Sequence, residues 1–293
     1  MTIAIIANPL AGRGRGANTA RLAEQILTDK NIDFELIFTK HEGHAIELAS
    51  QASKNHEIVA ALGGDGTIRE VLTGIWESEA ALGIIPGGTG NDYARGLNIP
   101  RQTAPAIEVL LQRHAVDFDL GIENDRIFGV LASVGFPVDV IDYVNLHRDG
   151  FLKGKLAFLA AVVATVHNLR SFPVKVTIDG QVLEKTVLGL FVMNMPYGGG
   201  GMQFTPNAFY GDGLFNVLII EKVTRTELAI TLPKIYSGKH VDHPAVTILT
   251  GQEVTVESDP EAIMLDGDIF PARKLHTRIL PKATRVLVAK TPV

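Results

Sequence analysis

Hydrophobic and polar positions follow two different patterns along the chain, and the first is an alternation of strand-like and helix-like segments. Short apolar runs bounded by turn residues occupy residues 2–7, 33–39, 57–62 and 81–85. The segments between them place apolar residues three and four positions apart, as one face of a helix requires. Strands that alternate with helices in this way predict a parallel sheet with helices on both of its faces.

After about residue 123 the pattern changes to short β-type runs separated by turns. These runs occupy residues 174–178, 187–193, 214–220, 246–249 and 254–257. Asp179-Gly180 and Thr250-Gly251 lie between neighbouring runs, and such pairs are typical of β-hairpins. Because helical patterns interrupt the runs at 153–168 and 225–236, we expect a mainly antiparallel, sandwich-like region that also contains two helices.

Together the two patterns predict an α/β protein of two domains. The first, residues 1–122, is a doubly wound parallel-sheet domain, and the second, residues 123–282, is mainly antiparallel and sandwich-like. Whether the C-terminal residues 283–293 pack back on the first domain is left open by the pattern. In open α/β sheets, ligands bind at the carboxyl ends of the strands, so we expect a site at that edge of the first domain.

Two glycine-rich turns follow consecutive apolar runs of the first domain. Their sequences are Gly63-Gly64-Asp65-Gly66-Thr67 and Pro86-Gly87-Gly88-Thr89-Gly90-Asn91-Asp92. Glycines let the backbone approach a ligand closely, so that its N–H groups and the start of the next helix face an anion. The embedded aspartates would repel a phosphate unless a divalent cation lay between them. Each turn alone is also compatible with an ordinary strand–helix connection, but the pair predicts a site for a Mg²⁺-bound polyphosphate.

Composition limits the class of protein and its partners. The 293-residue chain carries a net charge of -5 and no cysteine, which argues against nucleic acid as a main partner and excludes disulfides and thiolate metal sites. Residues 1–7 form a strand-like run and not a signal peptide. The longest apolar run, 156–166, is well short of the roughly 18 residues that span a bilayer. We therefore expect a cytoplasmic protein without a transmembrane segment, and whether it forms a homodimer stays open.

The string Gly-Gly-Asp-Gly-Thr between a strand and a helix resembles the lipid kinases with a diacylglycerol-kinase catalytic domain, including sphingosine kinases and soluble bacterial lipid kinases. NAD kinases and phosphofructokinases share this string more distantly, and the second string, ending in Asn91-Asp92, narrows the resemblance to the lipid kinases. Further matches along nearly the whole chain are Asn8-Pro9, Thr39 ahead of Gly43-His44-Ala45, residues 197–200, residues 206–214 and Leu265-Asp266-Gly267-Asp268.

The resemblance implies a lipid kinase that uses ATP and Mg²⁺, with diacylglycerol as the first candidate substrate. It also implies that the protein binds this lipid at the membrane surface as a peripheral protein. It implies that residues 1–122 bind the nucleotide, which is held between the two domains, and that residues 123–282 bind the lipid. The residues it implies for nucleotide binding are Asn8, Thr39, Gly63, Gly64, Asp65, Gly66, Thr67, Glu70, Gly88 and Thr89. Backbone N–H groups of the glycine turns and the threonine hydroxyls are suitable donors to phosphate oxygens.

Four aspartates are the implied catalytic residues. Asp65 and Asp92 would hold Mg²⁺ directly or through water, and a base for the acceptor hydroxyl would come from the turn that contains Asp266 and Asp268. We expect Asp266 to contact the hydroxyl, and Asp268, which stands where most relatives have glutamate, either to support Asp266 or to bridge to Mg²⁺. Without the resemblance, the Asp-Gly-Asp sequence would be read as a simple hairpin turn.

A second Mg²⁺ site is implied around Asp212. In the bacterial relatives one aspartate and nearby backbone carbonyls bind a structural Mg²⁺, and the carbonyls here would belong to Phe209 and Leu214. Oxygen-only ligands of this kind suit Mg²⁺ or Ca²⁺. A turn before the run at 214–220 accounts for the same residues, and the two interpretations are compatible.

The sequence leaves two other functions open. A kinase acting on NAD or another soluble metabolite shares the first glycine string, although the second string argues against it. A nucleotide- or lipid-binding regulator without turnover is the other alternative, but a pure binder does not need acidic groups such as Asp65, Asp92 and Asp266 beside an anionic ligand. We expect His44 to lie in the first turn of the second helix for structural reasons.

Overall fold

The computed structural model of the protein describes residues 2–146, 164–165, 170–258, 262–272 and 274–290. The chain divides into two compact units, the first made of Met1–Asp119 with Pro281–Val293 and the second of Leu120–Leu280. These limits lie a few residues from the boundaries predicted at 122 and 282. The predicted helix at 153–168, which contains the apolar run 156–166, lies outside the described residues except for 164 and 165.

Short strands alternate with helices in the first unit. Its elements are β1 (Ile3–Ala7), α1 (Ala11–Gly14), α2 (Gly16–Asp29), β2 (Phe34–Phe38), α3 (His44–Ala52), β3 (Ile58–Gly63), α4 (Asp65–Ile75), β4 (Ala81–Pro86), α5 (Asp92–Gly96), α6 (Thr103–Gln112) and β5 (Ala115–Glu123), the last of which continues into the second unit. The strands pair in parallel in the order β2-β1-β3-β4. All residues of β1, β3 and β4 are buried, which explains why these strands read as continuous apolar runs.

Helices cover both faces of this parallel sheet. On one face, α2 and α6 pack together over a core that contains Ile3, Ile5 and Leu62. The helices α3 and α4 pack against each other, and α3 also contacts β1. The predicted doubly wound α/β class is thereby confirmed for the first unit.

The start of α2 packs closely against the loop that follows β1. The helix begins at Gly16, and Asn18 lies inside its first turn. A Cβ atom at Gly16 would lie 2.1 Å from the backbone oxygen of Asn8, so only glycine lets the helix begin this close to the preceding loop. The sequence alone does not show this approach, because it depends on the path of the chain after β1.

The second unit is mainly antiparallel. Its elements after β5 are β6 (Arg126–Phe128), β7 (Leu131–Gly135), α7 (Phe136–Leu146), β8 (Phe172–Ile178), β9 (Gln181–Met193), β10 (Tyr197–Gly198), β11 (Met202–Gln203), β12 (Phe215–Glu221), α8 (Arg225–Thr231), β13 (Val246–Gly251), β14 (Glu253–Ser258), β15 (Ala262–Leu265), β16 (Asp268–Pro271) and β17 (Lys274–Leu287). The strands follow the order β16-β15-β7-β9-β8-β14-β17, and β12 joins β9 to β13. The predicted antiparallel, β-rich second part of the fold is confirmed.

The last strand returns to the first unit. The C-terminal part of β17 pairs in parallel with β4, with Arg285 opposite Ala81 and Val286 opposite Leu82. Within the first unit, Asp119 also accepts the backbone N–H of Lys282 at 2.7 Å. The first unit is therefore built from two segments that are far apart in the sequence.

One predicted hairpin is wrong. Asp179-Gly180 does connect β8 to β9 with both residues at positive φ, but Thr250-Gly251 belongs to β13, which pairs with β12. The following strand, β14, pairs instead with β8 and β17. The carboxylate of Asp179 accepts the backbone N–H groups of the two residues after Gly251, and this contact directs β14 towards β8.

The helices of the second unit were only partly predicted. The predicted helix at 225–236 consists of α8 followed by a 3-10 helix at Leu232–Ser237, and α7 was not predicted. Among the helices that the structure describes, none has the length and apolar character needed to cross a membrane.

Candidate functional site

The first glycine turn connects β3 to α4 and places the start of α4 at the carboxyl edge of the sheet. Gly64 precedes the helix and no side chain caps it, so the first N–H groups of α4 are not used by a cap. Thr67 is 7% exposed, and its hydroxyl oxygen accepts the Asn8 side-chain N–H at 3.2 Å. The turn is therefore linked to the loop after β1, and the nucleotide-binding role of Asn8 and Thr67 stays a prediction.

The second glycine turn packs directly on the first. The backbone N–H of Gly87 donates to the Gly63 oxygen at 2.7 Å. A Cβ atom at Gly88 would lie 2.5 Å from the Gly64 Cα, so the two turns touch backbone to backbone. Asn91, in the left-handed region with φ 53°, accepts the Gly88 N–H through its side-chain oxygen at 3.0 Å. Thr89 lies on the outside of this turn and is exposed.

A third glycine-containing loop, after β1, completes the cluster. Gly12 has a φ of 58°, and a Cβ atom there would lie 2.3 Å from the Gly87 oxygen. The side chain of Asn8 fixes the loop from within, since its oxygen accepts the Leu10 N–H at 3.0 Å. The loops at the carboxyl ends of β1, β3 and β4 are thus in contact within the first unit.

Two carboxylates meet beside these turns. Asp65 begins α4, and Asp92 begins α5 and is 7% exposed. Burial and, next to it, the negative charge of Asp92 raise the pKa of Asp65 from 3.8 to about 7, against the opposing effect of backbone hydrogen bonds that include the Tyr93 N–H at 3.2 Å. Two acidic side chains that disfavour each other's charge in a buried position suit a divalent cation.

Glu70 has a contact that the sequence did not indicate. Its carboxylate accepts the backbone N–H groups of Gly43 and Ala45, at 3.0 and 3.2 Å, at the start of α3. It therefore fixes the loop that follows β2 and stabilises the N-terminus of α3. Thr39, at the beginning of this loop, is tied to the sheet by its N–H, which donates to the Ala7 oxygen at 2.9 Å.

In the second unit, Asp266 and Gly267 form a two-residue hairpin turn between β15 and β16. Both residues have positive φ, 47° and 96°, as a type I′ turn requires. The Asp266 carboxylate accepts three consecutive backbone N–H groups, those of residues 129, 130 and 131, at 2.8 to 2.9 Å. The hairpin interpretation that the sequence also allowed is therefore the observed geometry, and Asp266 anchors the segment before β7.

Asp268 follows this turn and begins β16. Its side chain is partly exposed, and it pairs with Leu265 across the hairpin. Because side chains two residues apart share a face of a strand, Asp268 lies on the same face as Phe270, which packs against the core of the second unit. The two aspartates of the turn therefore differ in environment, one held by backbone N–H groups and the other at a strand start.

Asn194 holds the same region, and no sequence motif pointed to it. It is fully buried, its side-chain N–H donates to the Gly129 oxygen at 2.9 Å, and its backbone N–H donates to the Val130 oxygen at 2.9 Å. Asn194 and Asp266 thus hold the same short segment from two sides. The sequence signal that could have found it is an asparagine placed directly after the apolar run 187–193.

The region around Asp212 has the geometry of a turn. Asp212 is exposed, its Oδ1 accepts the Leu214 N–H at 3.0 Å, and Gly213 between them has a φ of 73°. No group of three or more His, Cys, Asp or Glu side chains converges anywhere in the described ranges of the chain. A cation bound here would depend on backbone oxygens, such as those of Phe209 and Leu214, and this site stays a prediction.

The contact between the two glycine turns gives a direct test of the packing. Gly88→Ala would place a methyl group 2.5 Å from the Gly64 Cα and 2.9 Å from the Asn91 side-chain oxygen. We expect a loss of about 1 to 3 kcal/mol in the free energy of unfolding, measured by urea denaturation. Gly66→Ala is the matched control, because nothing lies within 4 Å of a Cβ atom there. Equal stability of both variants would contradict the close packing of the turns.

Comparisons with known proteins find relatives for both parts of the chain. Residues 2–122 match the model of the diacylglycerol kinase catalytic domain, and residues 131–288 match that of the YegS C-terminal NAD kinase beta sandwich-like domain. The diacylglycerol kinase of Mycobacterium tuberculosis (strain ATCC 25618 / H37Rv) is 30% identical over 295 residues, covering 97% of this chain and 94% of the relative. The diacylglycerol kinase of Staphylococcus haemolyticus (strain JCSC1435) is 30% identical over 284 residues, covering 94% and 85%.

A solved structure shares the fold along the whole chain. The crystal structure of a diacylglycerol kinase from Bacillus anthracis str. Sterne has a TM-score of 0.80 and 23% sequence identity, covering 100% of this chain and 98% of that one. Both family models and two full-length relatives confirm the resemblance first seen in the glycine turns. The chain belongs to the diacylglycerol kinase family and is accordingly a phosphotransferase that acts on an alcohol group.

Proposed function

We propose that the protein is an ATP- and Mg²⁺-dependent lipid kinase that transfers the γ-phosphate to a lipid hydroxyl, with diacylglycerol as the first candidate acceptor. The observation that carries the proposal is the contact of the two glycine turns beside the Asp65–Asp92 pair, because this arrangement offers backbone N–H donors and a cation position together. The names of the relatives support the choice of acceptor.

The glycine turns would hold the nucleotide phosphates. The uncapped N–H groups at the start of α4 and the hydroxyls of Thr67 and Thr89 are the donors that we assign to the phosphate oxygens. The N–H groups of Gly87 and Gly88 already donate within the two turns, so Gly88 contributes through close backbone packing. Asn8 and Glu70 support this set indirectly as well, since Asn8 donates to Thr67 and Glu70 fixes the loop that begins at Thr39. Transfer of a phosphoryl group depends mostly on such positioning and on charge neutralisation.

Asp65 and Asp92 would hold the divalent cation. Their fit to Mg²⁺ rests on hard oxygen ligands and on the burial and the Asp92 charge that together raise the pKa of Asp65 to about 7. A bound Mg²⁺ would neutralise charge on the phosphates. We assign the second cation position to Asp212 on the resemblance alone.

For the proton of the acceptor hydroxyl, the contacts of the hairpin favour Asp268 over Asp266. The Asp266 carboxylate already accepts three backbone N–H groups, which occupies both of its oxygens. Asp268 is partly exposed at the start of β16 and has the carboxylate that the reaction needs. We therefore assign the general base to Asp268 and a positioning role to Asp266.

An acceptor assay tests the proposal. Purified protein is incubated with γ-labelled ATP and, separately, with diacylglycerol, a mixed lipid extract, NAD and sugar phosphates, and the products are separated by thin-layer chromatography. We expect label in the lipid fraction, its loss on chelation, and its return when Mg²⁺ is added. Label in NAD or a sugar phosphate, with none in any lipid, would overturn the assignment of a lipid acceptor. The absence of transfer to every acceptor would contradict the proposal that the protein catalyses phosphoryl transfer.

A further inference from the structure

Two stacked histidine rings lie in the loop between β2 and α3 of the first unit. The ring centroids of His41 and His44 are 4.8 Å apart, and the ring planes differ by 19°. His41 is exposed, so its ring is accessible to a ligand. The pair presents a flat aromatic surface, and none of the roles proposed above for the catalytic or phosphate-binding residues requires it.

Both rings are held in place by the backbone. The Nδ1 atom of His44 accepts the Lys40 N–H at 3.0 Å, and the Nδ1–H of His41 donates to the Glu42 oxygen at 2.9 Å. The loop that carries them is itself fixed by the Glu70 carboxylate at the start of α3. A ring surface fixed in this way loses little side-chain entropy when a flat ligand stacks on it.

The distance between the loop that carries the rings and the first glycine turn is comparable with the length of a nucleotide. In the parallel order β2-β1-β3, the loop after β2 lies at the same sheet edge as the glycine turn after β3, two strand spacings or about 10 Å away. That span is comparable with the separation between the phosphates and the base of an extended nucleotide.

We propose that the His41–His44 pair is the stacking surface for the base of the donor nucleotide and that it favours a purine. The inference rests on the proposed function, because it assumes that the glycine turns hold the phosphates. A flat, fixed aromatic face suits a base better than an acyl chain, which has no planar group to stack. The double ring of a purine overlaps an imidazole ring more fully than the single ring of a pyrimidine does, so the contact discriminates between them.

Calorimetric titration with ADP and with inorganic pyrophosphate, both with Mg²⁺, separates the base contact from the phosphate contact. For His41→Ala we expect ADP to bind about 5- to 50-fold more weakly than to the wild type, and pyrophosphate to bind equally well. His41→Phe should retain ADP affinity within about threefold, because the ring is kept. The exposed His276 of the second unit provides the matched control, and His276→Ala should bind both ligands like the wild type.

Three results would overturn the inference. They are unchanged ADP affinity in His41→Ala, equal weakening of ADP and pyrophosphate, and a His41→Phe variant that is as weak as His41→Ala. In each case the wild type still binds ADP, so the proposed function stands while the base contact is rejected. A wild-type protein that binds neither ligand would instead reject the proposed function, and the inference with it.

Discussion

Replacing Asp65 by asparagine is expected to abolish phosphoryl transfer and to make the folded protein more stable. The substitution removes one of the two carboxylates that we assign to the divalent cation, so we expect turnover to fall by about a thousandfold or more. It also removes a negative charge that burial and Asp92 disfavour, so the free energy of unfolding at pH 8 should rise by about 1 to 3 kcal/mol. Activity and stability would thus change in opposite directions.

The gain in stability has a defined pH dependence. The pKa of Asp65 is about 7 in the folded protein and about 3.8 when the chain is unfolded, so the folded state holds the proton more tightly. The wild type therefore loses stability relative to Asp65→Asn as the pH rises from about 4 to about 7. Below this window the two proteins should differ little, and above it the difference should be constant.

Urea denaturation at a series of pH values, combined with the transfer assay, checks both effects. Asp33→Asn is the matched control, because Asp33 is an exposed aspartate of the same unit. Mg²⁺ with a nucleotide should stabilise the wild type more than Asp65→Asn. Normal turnover in Asp65→Asn would reject the metal role, and a pH-independent difference in stability would reject the raised pKa.

Replacing Asp268 by asparagine should slow transfer by about a hundred- to ten-thousandfold while leaving stability nearly unchanged. The amide has almost the same size as the carboxylate but does not accept a proton, which removes general-base catalysis from the acceptor hydroxyl. Its partly exposed position at the start of β16 gives little reason for a loss of stability. Turnover at saturating lipid and nucleotide, together with a thermal melt, measures the two quantities.

Asp266→Ala should mainly lower stability, and its turnover per folded molecule should fall only as far as the hairpin that carries Asp268 is displaced. It leaves three backbone N–H groups of residues 129–131 without the carboxylate that accepts them, which should lower the free energy of unfolding by about 2 to 5 kcal/mol. Asp179 offers a matched control, since it also begins an Asp-Gly hairpin turn and accepts two backbone N–H groups. Asp179→Ala should lose stability without losing turnover per folded molecule. A stable, inactive Asp266→Ala beside an active Asp268→Asn would reverse the assignment of the base.

Local sequence was sufficient to predict those parts of the fold in which each strand is buried on both faces. The strands β1, β3 and β4 are continuous apolar runs because helices cover both sides of them, and the glycine turns at their ends follow directly. The Asp179-Gly180 hairpin was also predicted, because its two positive φ angles require this kind of residue pair.

Features that depend on distant parts of the chain were not predictable. The role of Asp266 depends on N–H groups more than a hundred residues earlier, and Glu70 stabilises a helix that precedes it in the sequence. The hairpin expected at Thr250-Gly251 is absent because β14 finds its partners in β8 and β17. The resemblance named the residues of the candidate site, but only the contacts show that the Asp266 carboxylate anchors the backbone of residues 129–131.

The split of the first unit into two segments has a consequence for how the protein is made. Because β17 supplies the strand beside β4, a growing chain on the ribosome must complete the entire second unit before this edge of the parallel sheet is covered. Until then, β4 presents unpaired N–H and C=O groups, which are a template for pairing with other chains. Translation that stalls before residue 281 would therefore leave an aggregation-prone intermediate.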